Sequence, residues 1–488
     1  MSENKLLRLK DTTSMITKDL WNKILKWTED DRILISNRVS ILLSIVESKR
    51  LCRKPPFLQN IQFLMLFHRK GFDYPSVIKN QTMFVIPASS PSNVNNILAV
   101  LKIASESNTT CGIVAFDMFP QIEAFKEINP IITYKDICRN IPFVIKISII
   151  KTAFKKYKKL YRIVDTNEHA LLNKIKKQRW QLFRTMLVAS IMDFEVPVIY
   201  NKWSPVNLLA PDDFWPFEHI LCGRSSEFNC ISYVIQHGII AGSFASCWWP
   251  FVANYYCLWG TLFKNEMVKL GAPEEQLIIT GMPSSDKLFE RSRQKLSLSQ
   301  DAYKNKKKIC LILSDTSAMN FEPEMYANYR TLVKKLFLEN DCGVQWIIKL
   351  HPIEEDKFYK DIGVDSFKNV LILPKSTSLE DALELTTFAC TLYSTAGLEA
   401  MIVQKPLFIL NVHPRVEEFA WWPRYGGGLY IYSAEELLSS IDKFYESNDH
   451  AISFVDSQNI FLEKCYENRG TSAQKIHELL KGKNEMNY

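Results

Sequence analysis

Apolar and polar positions change rhythm several times along the chain, and the changes predict its elements. Over the first 80 residues apolar side chains recur at helical spacing: Trp21, Ile24, Leu25 and Trp27, then Ile33, Leu34, Val39 and Leu42. This predicts mostly helices, packed onto or capping the first domain. The rhythm then shortens. A β-rich run, Met83 to Ile86, meets a Pro/Ser loop; Ile97, Val100, Leu101 and Ile103 return to helical spacing; CGIVAF is apolar throughout. Strand, loop, helix, strand is the start of a parallel α/β sheet. VPVIY (196–200) and SYVIQ (232–236) are expected to continue it as strands, with helices between.

The segment 289–308, FERSRQKLSLSQDAYKNKKK, is polar, charged and without strand character, and marks a boundary between two α/β blocks. Beyond it the chain reads KICLILS (strand), EMYANYRTLVKKLFLEN (helix), VQWIIKL and NVLILP (strands) and SLEDALELT (helix). FACTLY (strand), AGLEAMIVQ (helix) and PLFILN (strand) follow. That pattern is a doubly wound domain, whose ligand chemistry belongs at the carboxyl ends of its strands. The expected class is α/β: a helical segment over 1–80, Rossmann-like domains over 81–290 and 300–455, and helices over 456–488 packing back across the domains.

Composition supports two packed cores. The 488 residues are 47% hydrophobic and 12% aromatic, which excludes a disordered chain. The best candidate for a membrane span, 141–150, is short and contains Lys146. The opening MSENKLLRLKDTTS lacks an apolar signal-peptide core, which argues against secretion. The eleven Cys show no C-x-x-C and read as buried thiols in a reducing cytoplasm, and the scattered His offer no metal-ligand pair. A net charge of +7 is modest for this length and implies no nucleic-acid partner. The charge is uneven, however. From Lys146 to Arg184 twelve Lys or Arg face only Asp165 and Glu168, and KTAFKKYKKLYRI interleaves Lys with apolar residues as a basic amphipathic helix does. The plain reading is a solvated helix face; the functional one is docking to an anionic membrane surface or an anionic glycan.

Candidate chemistry sits at strand ends. In FACTLYSTAGLEA an apolar strand ends at Tyr393, and Ser394, Thr395, Ala396 and Gly397 open a helix. Small residues and a helix N-terminus there suit a phosphate. An ordinary cap uses the same residue types, but Glu399 lies four residues after Thr395, outside capping-box spacing. One turn into the helix, its carboxylate suits ribose hydroxyls. In WIIKLHP, Lys349 ends a strand, His351 can donate to a phosphate or leaving-group oxygen, and Pro352 fixes the loop. LSDTS adds Ser314 and Thr316 after the first strand of the same block. VIQHG places Gln236, His237 and Gly238 directly after an apolar strand, and Asp286 follows Gly281-Met282-Pro283.

The order QHG, W-G, L-G-A-P, T-G-x-P-x-x-D, K-x-H-P and Y-S-T-A-G-L-E-A, over roughly residues 196–415, resembles GT-B glycosyltransferases. It is most similar to the bacterial surface-polysaccharide group of capsule enzymes, CDP-glycerol glycerophosphotransferases and sialyltransferases with an HP motif; the non-hydrolysing UDP-GlcNAc 2-epimerases share that scaffold. The resemblance implies two Rossmann-like domains facing a central cleft. The second would hold a nucleotide-sugar donor through Ser314, Thr316, Lys349, His351, Pro352, Ser394, Thr395 and Gly397, with Glu399 near the ribose. The first would present a glycan or lipid-linked glycan acceptor along Gln236, Gly238 and Asn201. No metal or cofactor is implied; the nucleotide-sugar is a substrate. The D/E-D/E-G motif that carries the base in the sialyltransferases has no counterpart, and Asn201 stands where relatives place an acid. His237, Asp213 and Glu218 are the candidate bases, although Asp212-Asp213 also reads as a helix cap.

What the resemblance implies is a transferase of cell-surface polysaccharide (capsule or lipopolysaccharide) biosynthesis; the cysteines and the opening residues place it in the cytoplasm, and the functional reading of the basic segment 146–184 places it peripherally on the inner membrane face. The HP and Ser/Thr pair leans toward a CMP-linked donor over a UDP-linked one. A UDP-sugar 2-epimerase, a CDP-glycerol transferase and a non-catalytic nucleotide-sugar-binding partner protein remain as alternatives.

Overall fold

The computed structural model describes residues 82–482, except 87–90, 108–110, 116–119, 124, 128, 166–178, 214–215, 241–250, 295–302, 304–305, 315–322, 339–342 and 352–353. The expected helices over 1–80 lie outside the described residues.

The short apolar runs form two all-parallel sheets. The first has the order β3-β2-β1-β4-β5-β6-β7. Its strands are β1 (Thr82–Ile86), β2 (Cys111–Ala115), β3 (Ile131–Thr133), β4 (Asn207–Ala210), β5 (Ile231–Ile235), β6 (Tyr255–Leu258) and β7 (Leu277–Ile279). The second has the order β10-β9-β8-β11-β12-β13. It contains β8 (Ile309–Leu313), β9 (Gln345–Lys349), β10 (Val370–Ile372), β11 (Phe388–Thr391), β12 (Leu407–Leu410) and β13 (Leu429–Ile431). Central strands such as TMFVI, NLLA, FACT and LFIL are buried at every position. Such unbroken burial requires helices on both faces of a sheet, which parallel crossovers supply. In both sheets the winding reverses, between β1 and β4 and between β8 and β11. These reversals open crevices at the carboxyl ends of the strands.

The helices used below are α1 (Pro91–Glu106), α2 (Phe143–Asp165), α3 (Arg179–Trp203), α4 (Pro216–Arg224), α5 (Asp286–Gln294), α6 (Ala396–Ile402), α7 (Asn448–Cys465) and α8 (Ser472–Gly482). One strand expectation is corrected. VPVIY lies inside α3, with Pro197 within the helix. Ala189, Met192, Val196, Ile199 and Trp203 are all buried, at alternating three- and four-residue steps. A short buried apolar run looks the same in a strand and in a buried helix, and here the wider 3.6-residue period decides. The strand is the four-residue NLLA that comes after it. Asn201 therefore lies exposed in the last turn of α3, near the amino end of β4. That is the edge of the sheet opposite the crevice, so Asn201 cannot line an acceptor site at the carboxyl ends.

Among the described residues no helix is long and apolar enough to cross a membrane.

Candidate active site

In the second sheet, Leu313 at the end of β8 is in register with Lys349 of β9 on one side and Thr391 of β11 on the other. Hydrogen bonds lace these ends together: Ser314 N donates to Lys349 O (3.0 Å), and Thr391 Oγ1 donates to Leu313 O (3.1 Å). Ser314, the Lys349–His351 segment and the Ser394–Thr395 turn thus leave three adjacent strands at the point where the winding reverses. Thr316 and Pro352 lie outside the described residues.

Their side chains are not equivalent. Ser314 is buried, and its Oγ donates to Glu354 Oε1 (2.9 Å) while accepting from the Tyr359 hydroxyl (2.8 Å). The other Glu354 oxygen accepts from His351 N (3.2 Å), and Glu354 N donates to His351 O (2.8 Å). Ser314 therefore ties the end of β8 to the loop carrying His351; a phosphate role for its hydroxyl is displaced by these internal bonds. Glu354 is the residue that sequence reasoning missed. Its only sequence signal is its place three residues after His351, which lets one carboxylate reach back to that loop's backbone.

Gly397 also has a packing role. A Cβ there would come within 3.2 Å of the Leu407 and Thr391 side chains. In the turn, Ser394 Oγ accepts from Ala396 N (3.3 Å), whereas Thr395 makes no capping bond and is half-buried. Lys349 is half-buried, and burial lowers its pKa. Burial, and then the charge of Glu380, push Glu399 up to about 7.

The first sheet gathers a second group. Asp212 and Asp213 follow the end of β4, Glu218 lies in the first turn of α4, and His237 follows β5. Asp212 and Glu218 are 1% exposed and Asp213 4%, whereas His237 is half-buried. The Tyr256 hydroxyl donates to Asp213 Oδ2 at 2.5 Å, and the buried His219 donates from Nδ1 to Asp213 O at 2.7 Å. Burial raises Asp213 to about 7 against the hydrogen bond from Tyr256, with the neighbouring Asp212 adding to the rise. Burial also drives Glu218 well above the carboxylate range, helped by Asp212 and Asp213. His237 is pushed down by burial, and Asp212 draws it part of the way back. Crowded acids that share little solvent separate into neutral and charged members, the condition for dividing acid and base work.

Gln236 is fully buried and does not face a ligand. Its Oε1 accepts from Trp259 N (3.0 Å), its backbone O accepts from Trp259 Nε1 (2.8 Å), and its Nε2 donates to Gly238 O (2.9 Å). It shapes the His237–Gly238 turn. Gly238 itself is open: a Cβ there would meet nothing within 4 Å.

The W-G and T-G-x-P-x-x-D residues seat the chain where it crosses between the two sheets. The Trp259 ring lies 5.5 Å from Tyr466, just beyond α7. A Cβ on Gly260 would come within 2.5 Å of Lys464 O, and one on Gly281, whose φ is +86°, within 2.3 Å of Glu467 O. Asp286 accepts from Ser472 N (3.1 Å) and Ala473 N (2.8 Å), capping α8. Helix α8 then packs on α1, and Asn207 Nδ2 donates to Leu480 O (2.8 Å). Tyr466 is raised by burial and, in lesser part, by Glu399, so Glu399 lies close to this seam.

Neither a protein-family model nor a curated protein sequence matches the chain. Solved structures do. A putative UDP-N-acetylglucosamine 2-epimerase from Listeria monocytogenes superposes with a TM-score of 0.52 and 12% identity, over 84% of this chain and 98% of that one. For S. aureus MnaA in its UDP co-structure the values are 0.51 and 11%, over 83% and 97%. For a glycosyltransferase from Rickettsia africae they are 0.50 and 12%, over 83% and 99%. The fold is GT-B. At these identities the likeness concerns the fold, and the chemistry has to be argued from this chain's own side chains.

Proposed function

We propose that the chain transfers a sugar from a nucleotide-activated donor to a hydroxyl of a glycan acceptor, in the assembly of cell-surface polysaccharide. The observation that carries this reading is the placement of the His351 and Ser394–Thr395 loops at the carboxyl ends of the two strands that flank β8, in a GT-B scaffold whose other sheet carries a half-buried His at its own carboxyl edge. Lys349, His351 and the Thr395 hydroxyl would hold the phosphates, and Glu399 the ribose. The UDP bound by the S. aureus neighbour favours a UDP-linked donor over a CMP-linked one.

In the reaction the acceptor oxygen attacks the anomeric carbon and the C–O bond to phosphate breaks. The nucleotide leaves with the bonding pair, and the acceptor proton passes to a base. His237 fits that role better than Asp213 or Glu218. It has access to solvent where they have almost none, and its lowered pKa keeps the imidazole neutral at neutral pH. Asp212 stabilises the imidazolium once formed. Charge developing on the departing phosphate is met by Lys349 and His351.

A second reading, epimerisation of the UDP-sugar, is favoured by the acid cluster. Burial raises Asp213 to about 7 and drives Glu218 well above the ordinary carboxylate range, the direction that proton transfer at a sugar carbon demands. The two readings part on acceptor dependence. Donors linked to UDP, CMP, GDP and CDP are screened by thermal shift, and nucleotide release is then followed with and without glycan. Release that rises with acceptor supports transfer; sugar conversion without acceptor supports epimerisation. Stabilisation by none of the donors rejects both. For the phosphate role, His351→Ala is expected to weaken donor binding or turnover at least tenfold, and unchanged kinetics remove His351 from the site.

A further inference from the structure

Helix α2 presents a face that is both apolar and basic. Its inward side is settled: Lys146, Ile149 and Ala153 are buried, and the Tyr157 ring lies 5.8 Å from Phe183 of α3. Outward, Val144 is 75% exposed, Phe143 60%, Phe154 46% and Ile147 38%. Lys151, Lys155 and Lys158 are exposed with them, and Lys158 Nζ lies 4.7 Å over the Phe154 ring. At helical periodicity these lysines, Val144, Ile147 and Phe154 share an arc of roughly 100°. No acid occurs on α2 before Asp165.

We propose that this face docks the protein onto an anionic lipid bilayer, with α2 lying in the plane of the interface. The apolar side chains enter the headgroup–acyl boundary, and the three lysines pair with lipid phosphates. The complementarity is specific to that occupant. A polyanionic glycan would satisfy the lysines and leave Val144, Ile147 and Phe154 in water. A second copy would cover the apolar residues and set like charges face to face. Of these three occupants, the anionic bilayer surface is the one that meets both. The remainder of the basic run, 166–178, lies outside the described residues.

The location fits an acceptor that is itself held at a membrane. Helices α2 and α3 are antiparallel neighbours, since Phe154 and Tyr157 meet Phe183 while Lys146 and Glu195 lie together around Cys138. Helix α3 has 25 residues, about 37 Å at helical rise, against about 17 Å for a five-residue strand. It ends at Trp203, just before β4 begins, so its excess length overhangs the carboxyl edge of the sheet. The Phe154–Lys158 stretch of α2 lies beside that overhang, on the edge that carries His237 and Asp213.

The test is co-sedimentation of the full chain with vesicles of phosphatidylcholine alone or mixed with phosphatidylglycerol. Binding is expected only with the anionic lipid, and salt should release it. The triple reversal K151E/K155E/K158E is expected to lower partitioning on the order of a hundredfold, and I147S/F154S by roughly tenfold. The lysine reversal should leave the melting temperature unchanged, because those side chains are exposed; F154S also gives up the contact with Phe183, so I147S/F154S is assayed well below its own melting temperature. If a combined variant fails to fold, K151E and K155E singly and the salt dependence of the unaltered chain decide. Equal binding to neutral and anionic vesicles overturns the proposal. So does a solution dimer that F154S dissociates, or capture of an anionic polysaccharide by a chain that ignores vesicles.

Discussion

Asp213 shows how a residue's surroundings set its charge. Its carboxyl is buried among other acids and titrates at about 7 against an ordinary 3.8. A folded-state pKa above the unfolded value means that the native protein holds a proton which the unfolded chain gives up. The resulting stabilisation is fully present below pH ~4 and is lost as pH rises through about 7. Asp213→Asn cannot ionise and can still accept from Tyr256. It should therefore gain on the unaltered chain as pH rises from 5 to 8, by about 1–3 kcal/mol in urea unfolding. An equal difference at both pH values would mean that the carboxyl is already ionised at pH 5. Ser314 poses the converse case. Ser314→Ala leaves Tyr359 and Glu354 each short of a partner in a buried network and should cost about 1–3 kcal/mol. It should also weaken donor binding, because the His351 loop loses its anchor to β8. Stability lost with donor affinity intact would show that the anchor does not matter to the site.

At the scale of elements, the seam is the most sensitive feature. Gly281 combines a positive φ with a backbone carbonyl, that of Glu467, in the space a Cβ would need. Gly281→Ala has to strain the turn and push the 466–472 crossing away at once, and a loss of about 2–4 kcal/mol is expected in chemical denaturation. Asp286→Ala removes the cap of α8 and should cost about 1–2 kcal/mol. Asp286→Asn, which still accepts one of the two bonds, should cost less. If the two Asp286 variants were equally destabilised, the negative charge at the start of α8 rather than the acceptor geometry of the cap would be the governing effect. These residues belong to the same run of motifs that resembles GT-B enzymes. What the sequence presented as one pattern divides into two tasks: His351 and the Ser394–Thr395 turn at strand ends, and Gly260, Gly281 and Asp286 at the crossing.

For the whole molecule, α8 matters beyond its length. Ala473, Ile476 and Leu480 complete an apolar cluster with Phe84, Ile97, Val100 and Leu101 of the first domain, although they come from the far end of the chain. Truncation after Cys465 should therefore lower the stability of the first domain more than that of the second. In a thermal scan the truncated chain is expected to show a step below the melting of the unaltered chain, belonging to residues 82–290. A truncated chain that melted in one step at the original temperature would show that α8 is dispensable.

The sequence by itself determined the α/β class, most strands of the second sheet and which loops leave the carboxyl ends of its strands. Apolar period, small residues and chain order are local properties, and a doubly wound sheet turns local order into neighbouring strand ends. It could not separate the buried helix at VPVIY from a strand, because a five-residue apolar run satisfies both periods. That ambiguity put Asn201 on the wrong edge of the sheet. Only the tertiary structure decided which polar groups are spent on the protein itself, as Ser314 and Gln236 are on Glu354, Tyr359 and Trp259. Those partners lie 23 to 45 residues away along the chain. It also decided that His237 keeps some solvent access where Asp212, Asp213 and Glu218 have almost none, and that α2 turns its apolar and basic residues outward together. Burial and pairing depend on what packs from elsewhere in the chain, and no local pattern carries that information.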